Sequence, residues 1–165
     1  MQDEVDRILA AWRTEAPELD TEPLEILSRV SRLSRHLDLA RRAAFARHGL
    51  EVWEFDVLAA LRREGPPYEL SPGELVHQTL STSGTMTNRV DRLAERGLVE
   101  RDRNRADRRG VRVRLTEAGR QAVEAALADL LDYERGVLAE LGAPERQALA
   151  ASLRRLVASF ELDRA

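Results

Sequence analysis

Apolar residues recur at helical spacing along most of this chain. Val5, Ile8, Leu9 and Trp12 share one face and predict a first helix from Asp3 to Thr14. Ala16-Pro17-Glu18-Leu19-Asp20 breaks it. Thr21 is read as the cap of a second helix, with Pro23 near its start. Ile26, Val30, Leu33, Leu37, Ala40 and Ala44 form its stripe, and Gly49 ends it. Glu51 to Glu64 predicts a third helix, closed by Gly65-Pro66-Pro67. Thr116 caps a long helix carrying Val123, Leu127, Leu130, Leu131, Val137, Leu138 and Leu141. Gly142 interrupts it, and Pro144 starts a last helix with Leu149, Leu153, Leu156 and Phe160 on one face.

The centre of the chain has a different rhythm. Ser71, Pro72 and Glu74 form a capping box, which predicts a short helix from about Pro72 to Gln78. A second helix starts at Thr82 or Ser83 and runs to Arg96, with Gly97 as its left-handed stop. At roughly 100° per residue, Met86, Val90 and Leu93 fall on one side. Thr85, Asn88 and Arg92 fall on the other, and Arg89 stands at the flank of the apolar stripe. Leu98-Val99-Glu100-Arg101 reads as a strand, and Val111-Arg112-Val113-Arg114-Leu115 alternates with period two. The charged turn between them spans 102–110. These are the only strands the pattern predicts. Two helices joined by a tight turn and followed by a basic hairpin make a winged helix-turn-helix. The expected fold is therefore mainly α with a small β-hairpin wing. Three parts are read: N-terminal helices over 1–48, the DNA-binding unit over 49–116, and C-terminal dimerisation helices over 117–165.

Charge changes this picture from shape to partner. The net charge of −3 does not by itself suggest nucleic acid. From Arg89 to Arg114, however, ten Arg stand against five Asp or Glu, while the rest has sixteen against twenty-four. Positive charge is thus gathered on the second central helix and its hairpin. Asn and Arg read adenine and guanine edges in a major groove. The expected DNA contacts are Ser83, Gly84, Thr85, Thr87, Asn88 and Arg92 on the helix, with Arg103, Arg105, Asp107, Arg108 and Arg109 in the wing. The terminal helices are too apolar to bury their stripes on so small a centre. A second copy would cover them and set two reading helices about one DNA turn apart.

Composition narrows the function further. The chain has 165 residues, no cysteine and three scattered histidines, His36, His48 and His77. That excludes disulfides and cysteine-ligated zinc, and no catalytic spacing, phosphate loop, metal motif or cofactor motif is found. Neither an enzyme nor a metal sensor is expected. No apolar run is long enough for a membrane span, and the first twenty residues lack a signal-peptide pattern, so a cytoplasmic protein is expected.

Ser83-Gly84 with Thr87, Leu93 through Gly97-Leu98-Val99, Asp107-Arg108-Arg109 and Leu115-Thr116 with Gly119 together resemble the MarR family of bacterial transcription regulators. The similarity spans about Gly49 to Leu162. The resemblance implies a homodimer with intertwined terminal helices on a pseudo-palindromic double-stranded DNA operator, usually a repressor. It also implies release when a small anionic or phenolic ligand binds between the dimerisation and DNA-binding parts. An added N-terminal helix with Trp12, followed by Pro17-Glu18-Leu19-Asp20, is similar to the urate-responsive branch. By motif position that branch implies a ligand site at Trp12, Asp56, Arg89 and Arg101. Other readings stand beside it. Trp12 suits a core or dimer-interface anchor, and Asp56 an ion pair with Arg63 or an exposed place on its helix. Arg89 suits a neighbouring acid, and Arg101 a phosphate. Phenolic acids or antibiotics are the alternative effectors, and a ligand-independent architectural DNA-binding protein is the alternative class.

Overall fold

A computed structural model describes residues 2–79, 81–103 and 111–161. Its elements are α1 (Glu4–Glu15), α2 (Glu22–Arg47), α3 (Val52–Glu64), β1 (Glu69–Leu70), α4 (Pro72–Thr79), α5 (Ser83–Glu95), β2 (Val99–Arg103), β3 (Val111–Leu115), α6 (Glu117–Val137) and α7 (Ala143–Glu161). The fold is mainly helical with a small antiparallel sheet, as the hydrophobic pattern predicts.

The helix starts follow capping chemistry. Asp3 and Asp6 exchange side-chain and backbone hydrogen bonds at the head of α1. Ser71 and Glu74 do the same at α4, and Thr116 Oγ1 accepts from Gly119 N at α6. Thr21 differs from expectation. Its side chain makes no cap bond and is buried. The backbone N–H of Glu22 donates instead to Asp20 Oδ1 at 3.0 Å. The neighbouring carboxylate supplies the acceptor, so the threonine is free to pack inward.

The sheet also departs from expectation. The hairpin is not alone: β1 pairs antiparallel with β3, giving the order β1-β3-β2. Glu69 lies opposite Arg114 and Leu70 opposite Val113. A two-residue strand has no periodicity to read. It exists because β3 offers an open edge and Leu70 can bury there. Strand β2 is also displaced from the predicted Leu98–Arg101, pairing with β3 from Val99 to Arg103.

The core lies where α3, α4, α5, the sheet and α6 meet. Leu58, Leu61, Leu75, Met86, Val90, Leu93, Val99 and Val113 are buried there, each worth about 1.5–3 kcal/mol for a large apolar side chain. Phe45 of α2 stacks on Phe55 of α3 with centroids 3.8 Å apart, tying the long helix to this unit. Gly119 is required by a close approach, since a methyl there would collide with the Leu98 carbonyl oxygen. The outer helices bury little. Arg29 holds α1 to α2 through Asp3 at 2.8 Å and Asp6 at 2.7 Å. Yet Ile26, Val30 and Leu33 of α2, Leu127 and Leu131 of α6, and Leu149, Leu153 and Phe160 of α7 are exposed.

Candidate nucleic-acid interface

Helix α5 has the two faces its sequence predicts. Thr82 caps it, accepting from Thr85 N at 3.4 Å and donating to Thr85 Oγ1 at 2.8 Å. Met86, Val90 and Leu93 are buried. Ser83, Gly84, Thr85, Thr87, Asn88 and Arg92 are exposed. Thr87 Oγ1 donates to the Ser83 carbonyl at 3.3 Å. This surface offers hydroxyls, one amide and one guanidinium on a single convex helix, a combination able to contact both phosphates and base edges.

Three arginines of α5 and its C-cap, Arg89, Arg92 and Arg96, reach toward the start of α3. Arg96 Nη1 donates to both carboxylate oxygens of buried Glu54 at 2.6 Å, and Nη2 donates to the Gly49 carbonyl at 2.9 Å. Arg92 Nη2 donates to Glu51 Oε1 at 3.2 Å, with its guanidinium 4.9 Å from the Trp53 ring centroid. Arg89 stands 5.5 Å from the same ring and donates to Ser81 Oγ at 3.1 Å. Arg92 is thus exposed yet already held by groups of its own chain.

Among the described residues, the hairpin arginines Arg101, Arg112 and Arg114 are each paired with a carboxylate. Arg101 pairs with Asp91, Arg112 with Glu74 at 3.0 Å, and Arg114 with Glu69. The Ser71 backbone N–H, then its hydroxyl, hold the Glu74 carboxyl below its usual range, with Arg112 adding to the effect. Glu69 likewise raises Arg114. Arg103 ends β2. Arg105, Asp107, Arg108 and Arg109 lie outside the described residues.

Behind α5, where α2 and α3 meet it, lies an open cleft of about 540 Å³. Arg42, Leu50, Glu51, Trp53, Asp56 and Arg89 are among its lining residues. Two of the four expected ligand residues, Asp56 and Arg89, meet here. Asp56 is paired with Arg41 at 3.1 Å, rather than with Arg63. Trp12 is 46% exposed on α1 and does not line this cleft within one chain. Arg101 is on β2, held by Asp91. The aromatic wall is Trp53, and the second cation is Arg42. Sequence reasoning passed over both, although Trp53 and Asp56 are three residues apart and so share a face of α3.

Comparison with known proteins gives the same architecture a lineage. Residues 48–110 match the model of the MarR family. The transcriptional regulator PecS of Dickeya dadantii is 36% identical over 93% of this chain and 92% of its own. A MarR family protein from Bacillus stearothermophilus superposes with a TM-score of 0.73 at 25% identity, over 87% of this chain and 99% of its own. Bordetella bronchiseptica BpsR, in a structure described as the mechanism by which 6-hydroxynicotinic acid regulates its DNA binding, gives 0.59 at 29% identity, over 78% and 98%. PecS is described as a helix-turn-helix transcriptional regulator. With its reading helix, basic hairpin and full-length relative, this chain belongs to the MarR family of transcriptional regulators.

Proposed function

We propose that this chain is a cytoplasmic homodimeric repressor, bound to a pseudo-palindromic operator and released by a small anionic aromatic ligand such as urate. The observation that carries the reading is the cleft behind α5. It combines two guanidiniums, Arg42 and Arg89, with the Trp53 ring and the Asp56 carboxylate. A flat anion can stack on an indole while accepting paired hydrogen bonds from arginine. Arg89 belongs to the helix whose other side faces DNA, so a ligand drawing on it acts on the reading helix directly. Ligand release then requires that the cleft fit the ligand better in the DNA-free arrangement.

The dimer is supported by the exposed apolar faces of α2, α6 and α7. A second copy is the partner whose symmetry suits a two-fold operator. In that dimer Trp12 is proposed as an anchor or as a wall of the completed site, and Arg101 as a residue that exchanges Asp91 for ligand or phosphate. The regulation of BpsR by 6-hydroxynicotinic acid favours a heteroaromatic acid over a lipophilic antibiotic. A ligand-independent architectural protein has no use for cations beside an aromatic wall on the inner side of α5.

A mobility-shift titration on the promoter next to the protein's own gene tests this. Urate, 6-hydroxynicotinate and salicylate are added separately. Release by urate, blunted by Arg89→Ala, is expected. Release by salicylate alone overturns urate and keeps the ligand-responsive class. Release by none of them favours the architectural reading.

A further inference from the structure

We propose that Glu51, steadied by Trp53, is an intramolecular seat that competes with DNA for Arg92. The inference rests on the reading of α5 as the DNA-contacting helix. Arg92 lies on the exposed face of α5, but its guanidinium is engaged at 3.2 Å by Glu51 Oε1 and lies 4.9 Å from the centre of the Trp53 ring. The other oxygen of that carboxylate, Oε2, accepts from Trp53 Nε1 at 2.8 Å, which fixes its orientation. Glu51 is itself anchored, its backbone N–H donating to Glu54 Oε2 at 2.9 Å. The acceptor is therefore the N-cap residue of α3, held by its own neighbours.

A guanidinium held this way has one N–H donor committed and its charge partly neutralised, so it meets a guanine edge less readily than a free one. To give its whole fork to a base, Arg92 leaves Glu51, and Glu51 must then tolerate the phosphates nearby. Both partners are more than half exposed, so the pair is weak in water. The seat lowers affinity by a few-fold without closing the site. It also adds discrimination, because a base that takes the fork bidentately displaces Glu51 better than one that cannot. Glu51 and Trp53 line the cleft behind α5 as well. The seat therefore stands between the cleft and the reading face.

A double-mutant cycle on the full chain tests the seat. Operator affinity is measured by fluorescence anisotropy for wild type, E51Q, R92A and the double variant. The duplex is the one protected by the protein in the promoter next to its own gene. E51Q should tighten operator binding about threefold, the scale of an exposed ion pair, and should change nothing when Arg92 is already alanine. W53F, which removes the indole donor but keeps a ring, should tighten binding less, again only with Arg92 present. It carries the test if E51Q does not fold. Equal tightening by E51Q with and without Arg92 overturns the seat, because Glu51 is then only repelling phosphate. An E51Q protein no tighter than wild type, with R92A weakened, also overturns it and leaves the reading helix intact. If R92A binds as wild type does, the reading of α5 itself fails and the seat fails with it.

Discussion

Replacing Arg96 by alanine isolates the ion pair that joins the end of α5 to the start of α3. Glu54 is 2% exposed, and its carboxylate takes both oxygens to Arg96 at 2.6 Å. Its remaining partner is the Glu51 N–H. Removing the arginine strands a buried charge, which costs about 3–5 kcal/mol where both partners are buried. Here the Arg96 side chain is 41% exposed, so water can enter the vacated space. A cost of about 2–3 kcal/mol is expected, equivalent to roughly 5–10 °C in Tm for a chain of this size. Glu54→Gln should cost less, about 1 kcal/mol, because the amide still accepts and the orphaned arginine is already solvated. Urea unfolding followed by helical circular dichroism, at one protein concentration to hold any dimer equilibrium fixed, gives both values. An Arg96→Ala loss below about 0.5 kcal/mol, or a larger loss for Glu54→Gln, would refute the reasoning.

Other outcomes follow from the same geometry. Gly119→Ala should destabilise by about 1–3 kcal/mol through overpacking, because the new methyl meets the Leu98 carbonyl; an unchanged urea midpoint would contradict it. Arg108→Ala and Arg109→Ala, chosen from the sequence, should each flatten the salt dependence of DNA binding by about one unit of slope; an unchanged slope means the wing is merely solvated. Acid should lower the protein's stability, modestly because the carboxylates concerned are exposed. Arg120, then Gln121, hold Glu117 down at about 2 from 4.5. Arg62 lowers Glu124, and His48 lowers Asp129. Folded values below unfolded ones mean that this stability is complete above about 4.5 and is lost as pH falls toward 2. Urea midpoints that match at pH 6 and pH 3 would contradict this.

What was legible in the sequence had a local cause. The buried stripe of Met86, Val90 and Leu93 shows because three residues on one face already encode a helix against a core. The caps at Ser71 and Thr116 show because their partners lie three residues away. Strand β1 could not be read, since two residues carry no period and their pairing depends on β3, more than forty positions on. The cleft was half legible. Arg89 was visible as an arginine out of place on an amphipathic helix, and Asp56 through family resemblance. Trp53 joins them only because α2, α3 and α5 converge. The capture of Arg92 by Glu51, forty-one positions apart in sequence, is a tertiary fact with no trace in helical spacing.

The central claim is that one helix reads DNA on one side and feels a ligand on the other. Linkage makes this measurable from either end: if a ligand weakens operator binding, the operator must weaken that ligand's binding by the same factor. Isothermal titration of urate, with 6-hydroxynicotinate in parallel, into free and operator-bound protein is the direct test. Weaker binding to the operator complex is expected, by a factor of roughly 5 to 150 and equal to the loss of operator affinity at saturating ligand. Equal affinity of both ligands for free and DNA-bound protein would contradict it.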